Sequence, residues 1–347
     1  LATKFPYNRS RGRLAKALAG QYSHPASPVG LKIRKLVMSE VIKTALTTLI
    51  YGERPSPKSV CECFNEIMNG EVNEALMAAF LVALKIRGEQ VSDLTAAATV
   101  MREKATTVKA NSATMDIVGT GGDGFGTFNI STASAFVVAG CGIPVAKHGN
   151  KAGSSQSGAA DVLSAIGIKL DCDFALIDQS LALANIAFLM APRHHAAMRH
   201  VAPVRATLGV RTIFNMLGPL ANPAMVTRIM VGVYDHSYCA PFAHVLAALG
   251  TTHGWVVHGA DGLDEVSTTG PTYVAQLRNG VVTEFTISPE DIGLPTVKLD
   301  DLRGGDGAHN ARYLEALLRG ETGPYRDIVL LNAASALVAG GHESDLK

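Results

Sequence analysis

Residues 116–132, Asp116-Ile-Val-Gly-Thr-Gly-Gly-Asp-Gly-Phe-Gly-Thr-Phe-Asn-Ile-Ser-Thr132, decide the fold, because an apolar strand there passes through a glycine turn into a hydroxyl-rich helix start. Glycine amides can converge on an anion without obstruction by Cβ atoms, and a helix N-terminus favours negative charge. Asp123 adds a carboxylate to this anion site. A carboxylate beside phosphates is expected where it accepts hydrogen bonds from ribose hydroxyls or helps to hold a hydrated cation. The tract therefore predicts a sugar-phosphate site at the end of a buried strand.

Two better-known phosphate motifs do not match this tract. A Walker loop needs Gly-Lys-Ser/Thr after its glycines, and that sequence is missing here. A Rossmann fingerprint has the spacing of Gly119, Gly121 and Gly124, but residues 129–132 displace the helix start from its expected place. For this tract alone, a glycine-rich surface turn remains open.

A second tract of the same kind lies at residues 147–157, Lys-His-Gly-Asn-Lys-Ala-Gly-Ser-Ser-Gln-Ser, directly after the apolar sequence Ile-Pro-Val-Ala. Lys147 and Lys151 can neutralise phosphate charge, and the hydroxyls of Ser154 and Ser155 can bind phosphate oxygens near a helix entry. A solvated loop would explain the serines. It would not explain a second such loop within about one βα unit of the first.

The third tract supplies carboxylates. Trp255-Val-Val-His258 predicts a buried strand, and Asp261, Asp264 and Glu265 follow it closely. Hard oxygen ligands of this kind suit Mg²⁺, which usually keeps several waters and bridges to substrate phosphates. An acidic turn alone is more often simply solvated. In an open parallel sheet, however, strand carboxyl ends face one crevice, so we expect all three loops to meet there.

The spacing of apolar residues predicts two kinds of domain. Apolar residues recur at helical spacing from about 41 to 108, strands and helices alternate from Asp116 onward, and residues 173–208 return to a helical pattern without a clear strand. The predicted fold is α/β, with a central mostly parallel sheet flanked by helices and a smaller all-helical domain. The predicted divisions are a basic, mobile N-terminal extension over 1–40, a helical domain over 41–110 plus 173–208, and an α/β domain that carries the sugar-phosphate tracts over 111–172 plus 209–347.

Composition excludes several classes of function. The chain has 31 Lys and Arg against 30 Asp and Glu, and residues 1–39 hold eight of the basic side chains and no acidic one. The remainder is thus acidic, which argues against a broad nucleic-acid surface. No uncharged apolar run is long enough for a membrane span. Five cysteines, an odd number without metal-binding spacing, predict reduced thiols in the cytoplasm.

Taken together, the motifs resemble the anthranilate phosphoribosyltransferase family, whose members join anthranilate to phosphoribosyl pyrophosphate (PRPP) in tryptophan biosynthesis. The resemblance covers about residues 41–341 and implies a nucleoside phosphorylase/phosphoribosyltransferase-like fold. The matching motifs are Gly119-Thr-Gly-Gly-Asp123, Asn129-Ile-Ser-Thr132, Lys147-His-Gly-Asn150, Ser157-Gly-Ala-Ala-Asp-Val-Leu163, Ala191-Pro-Arg-His-His195, residues 204–223 and Gly262-Leu-Asp-Glu265.

The resemblance also implies roles for individual residues. Arg205 would bind the anthranilate carboxylate, with help from Asn150 and the Gly119 backbone, and His148 would line the route of this substrate. Metal would be bound by Ser131, Asp264 and Glu265, with two Mg²⁺ ions held together with the diphosphate. PRPP would be bound by Gly119, Gly122, Asp123, Thr127, Asn129, Ile130, Ser131, Thr132, Lys147, Asn150, Lys151, Ser154, Ser155 and Ala159.

Arg205 has a physical case of its own. Pro203 suits the first turn of a short helix that Gly209 would end, which places Arg205 on that helix. A planar guanidinium pairs with a carboxylate through two hydrogen bonds, so it orients an aromatic acid better than Lys could. A structural arginine remains the alternative when this segment is considered alone.

The expected reaction is displacement at C1 of the ribose by the aromatic amine, with pyrophosphate leaving. The expected partners are these two small molecules, without nucleic acid or membrane, and the resemblance implies a homodimer formed through the helical domain. Two rivals stay open. One is a pyrimidine-nucleoside phosphorylase of the same broad architecture, and the other is a non-catalytic nucleic-acid-binding relative.

Overall fold

The structure is a computed structural model that describes residues 40–153 and 156–347. Of the predicted N-terminal extension only Glu40 is described, and it begins the first described helix. The expected mobility of residues 1–39, and the predicted phosphate ligands Ser154 and Ser155, lie outside the described residues.

The described residues begin with four helices, in the region where the apolar spacing predicts a helical domain. Ser56 caps the second by accepting a 3.2 Å hydrogen bond from the Ser59 amide, and Gly70, with φ of 72°, ends it in the left-handed conformation. Asn73 caps the third in the same way, with a bond of 2.8 Å. The four are α1 (Glu40–Ile50), α2 (Pro57–Asn69), α3 (Glu74–Arg87) and α4 (Val91–Glu103).

A seven-stranded sheet follows, in the order β3-β2-β1-β4-β5-β6-β7. Its first five strands in that order run parallel, and β6 and β7 are antiparallel additions at one edge. This confirms the predicted α/β class and mostly parallel sheet. The strands are β1 (Met115–Gly119), β2 (Val145–Gly149), β3 (Ile186–Met190), β4 (Arg228–Gly232), β5 (His253–Gly259), β6 (Thr272–Arg278) and β7 (Val281–Ile287).

Helices such as α5 and α11 pack against the sheet. The helices after the first four are α5 (Ile130–Gly140), α6 (Ala159–Ala165), α7 (Phe174–Ala184), α8 (Ala191–His194), α9 (Ala202–Leu208), α10 (Leu217–Leu220), α11 (Cys239–Ala248), α12 (Gly307–Leu318) and α13 (Pro324–Ala339). The chain proceeds outward from β1 to β3 and then returns to the other side of β1 as β4. A crevice opens at such a reversal, outside the carboxyl ends of the strands.

The helical domain and one face of the sheet share a single apolar core. Phe64 packs edge-on against Phe80 of the same domain at 6.1 Å and against Phe214 at 5.6 Å. The same cluster reaches Val231 of β4 and Val256 of β5. This continuity fixes the helical domain against the strand ends. In the described part of the chain, no helix has the length and apolarity needed to cross a membrane.

The structure corrects the assignment of residues 173–208 to the helical domain. These residues contain β3, an edge strand of the main sheet, and α7, which contacts it. Asn185, with φ of 56°, ends α7 in the left-handed conformation immediately before the strand. The strand was missed because five apolar residues follow the helix with no glycine or proline between them. Only the segment after β3 packs on the helical domain, through buried Val201 and Val204.

Candidate active site

One cavity of about 780 Å³ lies at the carboxyl ends of the central strands. Its strand-end wall is formed by residues 118–123 and 126–132, 147–153 and 157–159, and 264–265, from the three loops that the sequence predicts to meet. Its helical wall is formed by α9 and the residues after it, through Ala202, Arg205, Ala206, Gly209, Val210, Arg211 and Asn215. The cavity therefore opens at the topological reversal between β1 and β4.

Asp264 lies across the ends of β1 and β4, because both strands end in glycine. A Cβ on Gly119 would come within 2.3 Å of Asp264 Oδ2, and one on Gly232 within 1.6 Å of the Asp264 carbonyl oxygen. The carboxylate accepts a 2.7 Å hydrogen bond from the Gly121 amide. The two glycines thus give the β5 loop its close approach to the phosphate-type loop after β1.

Lys147 and Glu265 complete the floor of the strand-end wall. Lys147, only 4% exposed, donates to the Ile117 carbonyl at 2.6 Å and to Ser131 Oγ at 3.3 Å. Glu265 accepts a 3.1 Å hydrogen bond from the Ser131 amide at the start of α5. Ser131 therefore meets both an ammonium group and a carboxylate.

The carboxylates and the ammonium group on this wall neutralise one another's charge only in part. Burial, together with the nearby Asp123 carboxylate, raises the pKa of Asp264 to about 6. Burial and the charge of Asp264 raise the pKa of Glu265 well above its ordinary value, although Lys147 opposes that shift. Burial lowers the pKa of Lys147 in spite of the surrounding carboxylates. A further cation close to Asp264 and Glu265 would favour their ionised forms.

A buried acid underlies the same floor. Asp116 is fully buried and accepts hydrogen bonds from the His148 amide at 3.2 Å and from Asn222 Nδ2 at 2.7 Å. Asn222 Nδ2 also donates to the Ala146 carbonyl at 2.8 Å. Burial raises the pKa of Asp116 to about 6, against the opposing charge of Lys147. These contacts tie β1, β2 and the segment after α10 together beneath the cavity.

The loop after β2 is closed by Asp161, near the start of α6. Asp161 Oδ2 accepts from the amides of Ala152 at 2.8 Å and Gly158 at 2.9 Å. The two ends of the loop are thereby held together. Asn150 and Lys151, which follow β2 directly, line the cavity.

Arg205 stands on the helical wall. Pro203 lies in the first turn of α9 and Gly209 ends the helix with φ of 61°, which confirms the predicted helix. The Arg205 side chain is half-buried and lines the cavity, but its guanidinium forms no hydrogen bond or ion pair with the described residues. An unpaired, partly desolvated guanidinium facing a cavity is suited to an anionic ligand.

His148 lies between the two walls in a fixed tautomer. Its Nδ1 lies 2.9 Å from the Gly218 carbonyl oxygen, which can only accept, so Nδ1 carries the proton. Burial and the neighbouring His195, whose ring centre is 5.2 Å away, lower the pKa of His148 to about 3. Nε2 is therefore an unprotonated acceptor, and it has no hydrogen-bond partner among the described residues.

Comparison with known proteins agrees with this geometry. A family model described as "Glycosyl transferase family, a/b domain" matches residues 111–347, and one described as "Glycosyl transferase family, helical bundle domain" matches residues 43–105. The anthranilate phosphoribosyltransferase of Rhodospirillum rubrum is 53% identical over 305 residues, which cover 88% of each chain. The chain belongs to the anthranilate phosphoribosyltransferase family.

Solved members of the family share the whole fold. The Thermus thermophilus enzyme superposes with a TM-score of 0.82 at 41% identity, covering 87% of this chain and 91% of that one. The Saccharomyces cerevisiae enzyme in complex with PRPP and Mg has a TM-score of 0.81 at 29% identity, covering 89% and 92%. Its complex with 4-fluoroanthranilate gives 0.80 at 26% identity, covering 88% and 90%.

The structure places the described residues of the predicted site around this cavity. Asp261 is the exception among the three clustered carboxylates, because Ser267 Oγ donates to it at 2.5 Å and the Leu263 amide at 2.9 Å, which fixes the turn. The predicted ligands that line the cavity are Gly119, Gly122, Asp123, Thr127, Asn129, Ile130, Ser131, Thr132, Lys147, His148, Asn150, Lys151, Ala159, Arg205, Asp264 and Glu265. Their individual roles stay predictions.

Sequence reasoning missed Arg211 and the buried amides of Asn222 and Asn310. Arg211 lies with its guanidinium 4.0 Å from the centre of the Tyr234 ring and donates to the Gly122 carbonyl. It therefore joins the helical wall to the glycine loop. Arg211 lies in the matched segment 204–223, and this position could have marked it as functional. Its partners could not be inferred from spacing, because they are distant in the chain.

Proposed function

We propose that this chain transfers the phosphoribosyl group of PRPP to the amine of anthranilate, giving N-(5-phosphoribosyl)anthranilate and pyrophosphate. One observation carries the proposal: a single cavity has phosphate-type loops with the carboxylates of Asp264 and Glu265 on one wall and, within the described residues, the unpaired Arg205 guanidinium on the other. The names of the relatives, and the complexes of the yeast enzyme with PRPP and with 4-fluoroanthranilate, support the same reaction.

PRPP is assigned to the strand-end wall. Backbone amides of the Gly119 to Thr127 loop and the N-terminus of α5 would face its anionic oxygens, since this geometry favours phosphate. Lys147 and Lys151 would add positive charge, with Asn129, Asn150, Thr132 and Ala159 along the same path. Asp123 would accept hydrogen bonds from ribose hydroxyls.

The residues on this wall fit Mg²⁺. Asp264 and Glu265 offer hard carboxylate oxygens, and their raised pKa values reflect burial without full compensation by cations. Within the described residues, no group of three or more His, Cys, Asp or Glu side chains could hold an ion alone. Both facts suit an ion completed by water and diphosphate oxygens. We propose that Asp264, Glu265 and Ser131 hold two ions with PRPP; bound Mg²⁺ stabilises charge on the leaving diphosphate.

Anthranilate is assigned to the helical wall. Arg205 would pair with its carboxylate, with Asn150 and the Gly119 backbone beside it. In the reaction the amine lone pair forms a bond to C1 of the ribose, and the C1–O bond breaks with its electrons leaving on pyrophosphate. His148 Nε2 is unprotonated and has no hydrogen-bond partner among the described residues, so it would accept the proton that the amine releases. Positioning of two substrates and charge stabilisation are then the main contributions of the protein.

The assembly and location of the protein belong to the same proposal. We assign a homodimer to the helical domain, because Ile50 at the end of α1 and Ile86 at the end of α3 are 63% and 78% exposed. Large apolar side chains of this kind are candidates for an interface. All five cysteines are free thiols, in keeping with a cytoplasmic protein.

The experiment that tests the proposal follows anthranilate fluorescence in the presence of PRPP and Mg²⁺. Loss of fluorescence that depends on all three components is the expected result, with pyrophosphate as the second product. Parallel reactions with uridine and phosphate, and binding to labelled RNA, test the two rivals. Activity in either of those reactions without consumption of anthranilate would contradict the proposal.

A further inference from the structure

A chain of hydrogen bonds behind the strand-end wall joins its two loops. The Gly305 amide donates to Asn310 Oδ1 at 2.8 Å, and Asn310 Nδ2 donates to Asn129 Oδ1 at 2.9 Å. Asn129 Nδ2 in turn donates to the Ser157 carbonyl at 3.3 Å, and Ser157 Oγ donates back to Asn129 Oδ1 at 3.2 Å. Asn129 thus bridges the loop after β1 and the loop after β2.

The two ends of this chain fix the direction of every bond in it. The Gly305 amide can only donate, so Asn310 must present Oδ1 to it and Nδ2 to Asn129. The Ser157 carbonyl can only accept, so Asn129 must present Nδ2 there and Oδ1 to Asn310. Rotating either amide would set two donors or two acceptors against each other. Asn310 therefore determines the side to which Asn129 presents Oδ1 and the side to which it presents Nδ2.

The segment that carries Asn310 is itself held firmly against the glycine loop. The Phe128 amide donates to the Leu302 carbonyl at 3.1 Å, and the Gly304 amide donates to the Gly126 carbonyl at 2.9 Å. The Phe128 ring also stacks on Tyr325 with ring centres 4.4 Å apart. These contacts place Asn310, which is 1% exposed, at a constant position behind Asn129.

We propose that Asn310 is a positioning residue for PRPP, which sets the relative placement of the two phosphate loops through Asn129. Asn310 does not line the cavity, whereas Asn129 does. Its hydrogen bond to Asn129 therefore connects it to the cavity lining. The inference rests on the proposed function, because it takes PRPP as the ligand that both loops share.

Two substitutions test this role. Asn310→Asp keeps an acceptor for the Gly305 amide but has no donor for Asn129 Oδ1, and Asn310→Ala removes both bonds. In Asn310→Asp, neither orientation of the Asn129 amide satisfies both the new carboxylate and the Ser157 carbonyl. In Asn310→Ala, Asn129 Oδ1 keeps only the hydrogen bond from Ser157 Oγ, and the link to the segment of Gly305 is lost. We expect the KM for PRPP to rise about tenfold, equivalent to about 1.4 kcal/mol. The KM for anthranilate should stay within about twofold of the wild-type value, because Arg205 is untouched.

Leu314→Ala supplies the matched control. Leu314 lies on the same helix, is fully buried and packs in the apolar cluster that includes Phe128, but it takes no part in the hydrogen-bond chain. Its truncation should lower the melting temperature while leaving the KM for PRPP unchanged. A loss of stability is thereby separated from a loss of loop placement.

A second readout is the rise in melting temperature when PRPP and Mg²⁺ are added. The wild type and Leu314→Ala should show this rise, and both Asn310 variants should show less of it. Wild-type KM for PRPP in both Asn310 variants, or equal increases in both KM values, would overturn the inference alone. If the wild type shows neither stabilisation by PRPP nor consumption of anthranilate, the proposed function is overturned with it.

Discussion

The two walls of the cavity differ in how their charged groups are held. On the strand-end wall, Asp264 and Lys147 are buried, Glu265 is half-buried, and each makes hydrogen bonds to backbone or side chain of another loop. On the helical wall, Arg205 is half-buried on a helix of seven residues and its guanidinium makes no such bond within the described residues. The strand-end wall is thus organised before a ligand arrives, while Arg205 gains its partner from the acceptor substrate.

This difference leads to a division of labour that substitutions can test. Changes on the strand-end wall should affect metal, PRPP and turnover together, because its groups contact one another. Changes at Arg205 should affect the acceptor alone. Coupling between the walls is expected at residues that contact both, such as Arg211.

The largest effect is expected from replacing Asp264→Asn and Glu265→Gln together. The pair keeps its size and hydrogen bonding but loses two charges, so turnover should fall about 100-fold or more, since a bound metal contributes several kcal/mol of charge stabilisation. Excess Mg²⁺ should restore part of the rate. Steady-state kinetics over a Mg²⁺ titration provide the measurement, with the exposed Glu321→Gln as the matched control.

Folding offers an internal check on that variant. Burial raises the pKa of both carboxyls, so both are favoured in their protonated forms in the folded protein. The stability that Asp264 contributes is present below about pH 4 and is lost as pH rises through its folded pKa of about 6, and Glu265 acts in the same direction. The neutral amides avoid that cost. At pH 7.5 the metal-free double variant should melt no lower than the wild type. A lower melting temperature, or wild-type turnover at limiting Mg²⁺, would show that these carboxylates serve the structure instead.

The next effect concerns the helical wall. Arg205→Ala should raise the KM for anthranilate about 10- to 100-fold, because a hydrogen bond to a charged group contributes about 1.5–3 kcal/mol. The KM for PRPP should change little. Arg199→Ala, an exposed arginine close in sequence and outside the cavity lining, is the control. Equal weakening of both substrates would remove the distinction between the walls.

His148, between the walls, predicts a pH effect on stability. Its pKa is lowered to about 3, so below pH 6.5 the unfolded chain takes up a proton that the folded protein refuses. Stability should therefore fall as pH falls from about 6.5, and His195, with its pKa lowered to about 4, adds to the fall. The wild type should lose free energy of unfolding between pH 7 and pH 5, and His148→Asn should make this loss smaller by up to about 2 kcal/mol. Urea unfolding at both pH values measures it; an identical pH dependence in both proteins would contradict the assignment.

The smallest effect is expected at Arg211. Arg211→Lys loses the planar stacking on Tyr234 and the fork that reaches the Gly122 carbonyl, so the KM for PRPP should rise about threefold. Arg319→Lys, an exposed arginine just after the end of α12, should change nothing. A larger effect on anthranilate than on PRPP would place Arg211 with the acceptor.

Sequence alone anticipated those features that depend on local pattern. The strand, glycine turn and helix start around Gly119 are contiguous, as are Pro203 and Gly209 around α9, so both were predictable. β3 was not, because its apolar residues continue the pattern of α7 and only the left-handed Asn185 separates them. Asn310 and Asn222 were beyond reach, because their partners are Asn129 and Asp116, distant in the chain.

Separate binding of the two substrates tests the central claim most directly. Calorimetric titrations of PRPP with Mg²⁺, and of anthranilate in the presence of pyrophosphate and Mg²⁺, are needed for the wild type, Arg205→Ala and the Asp264→Asn, Glu265→Gln pair. We expect Arg205→Ala to lose affinity for anthranilate and keep that for PRPP, and the double variant to lose affinity for PRPP with Mg²⁺. If Arg205→Ala weakens PRPP as much as anthranilate, or leaves anthranilate binding unchanged, the assignment of one substrate to each wall is wrong.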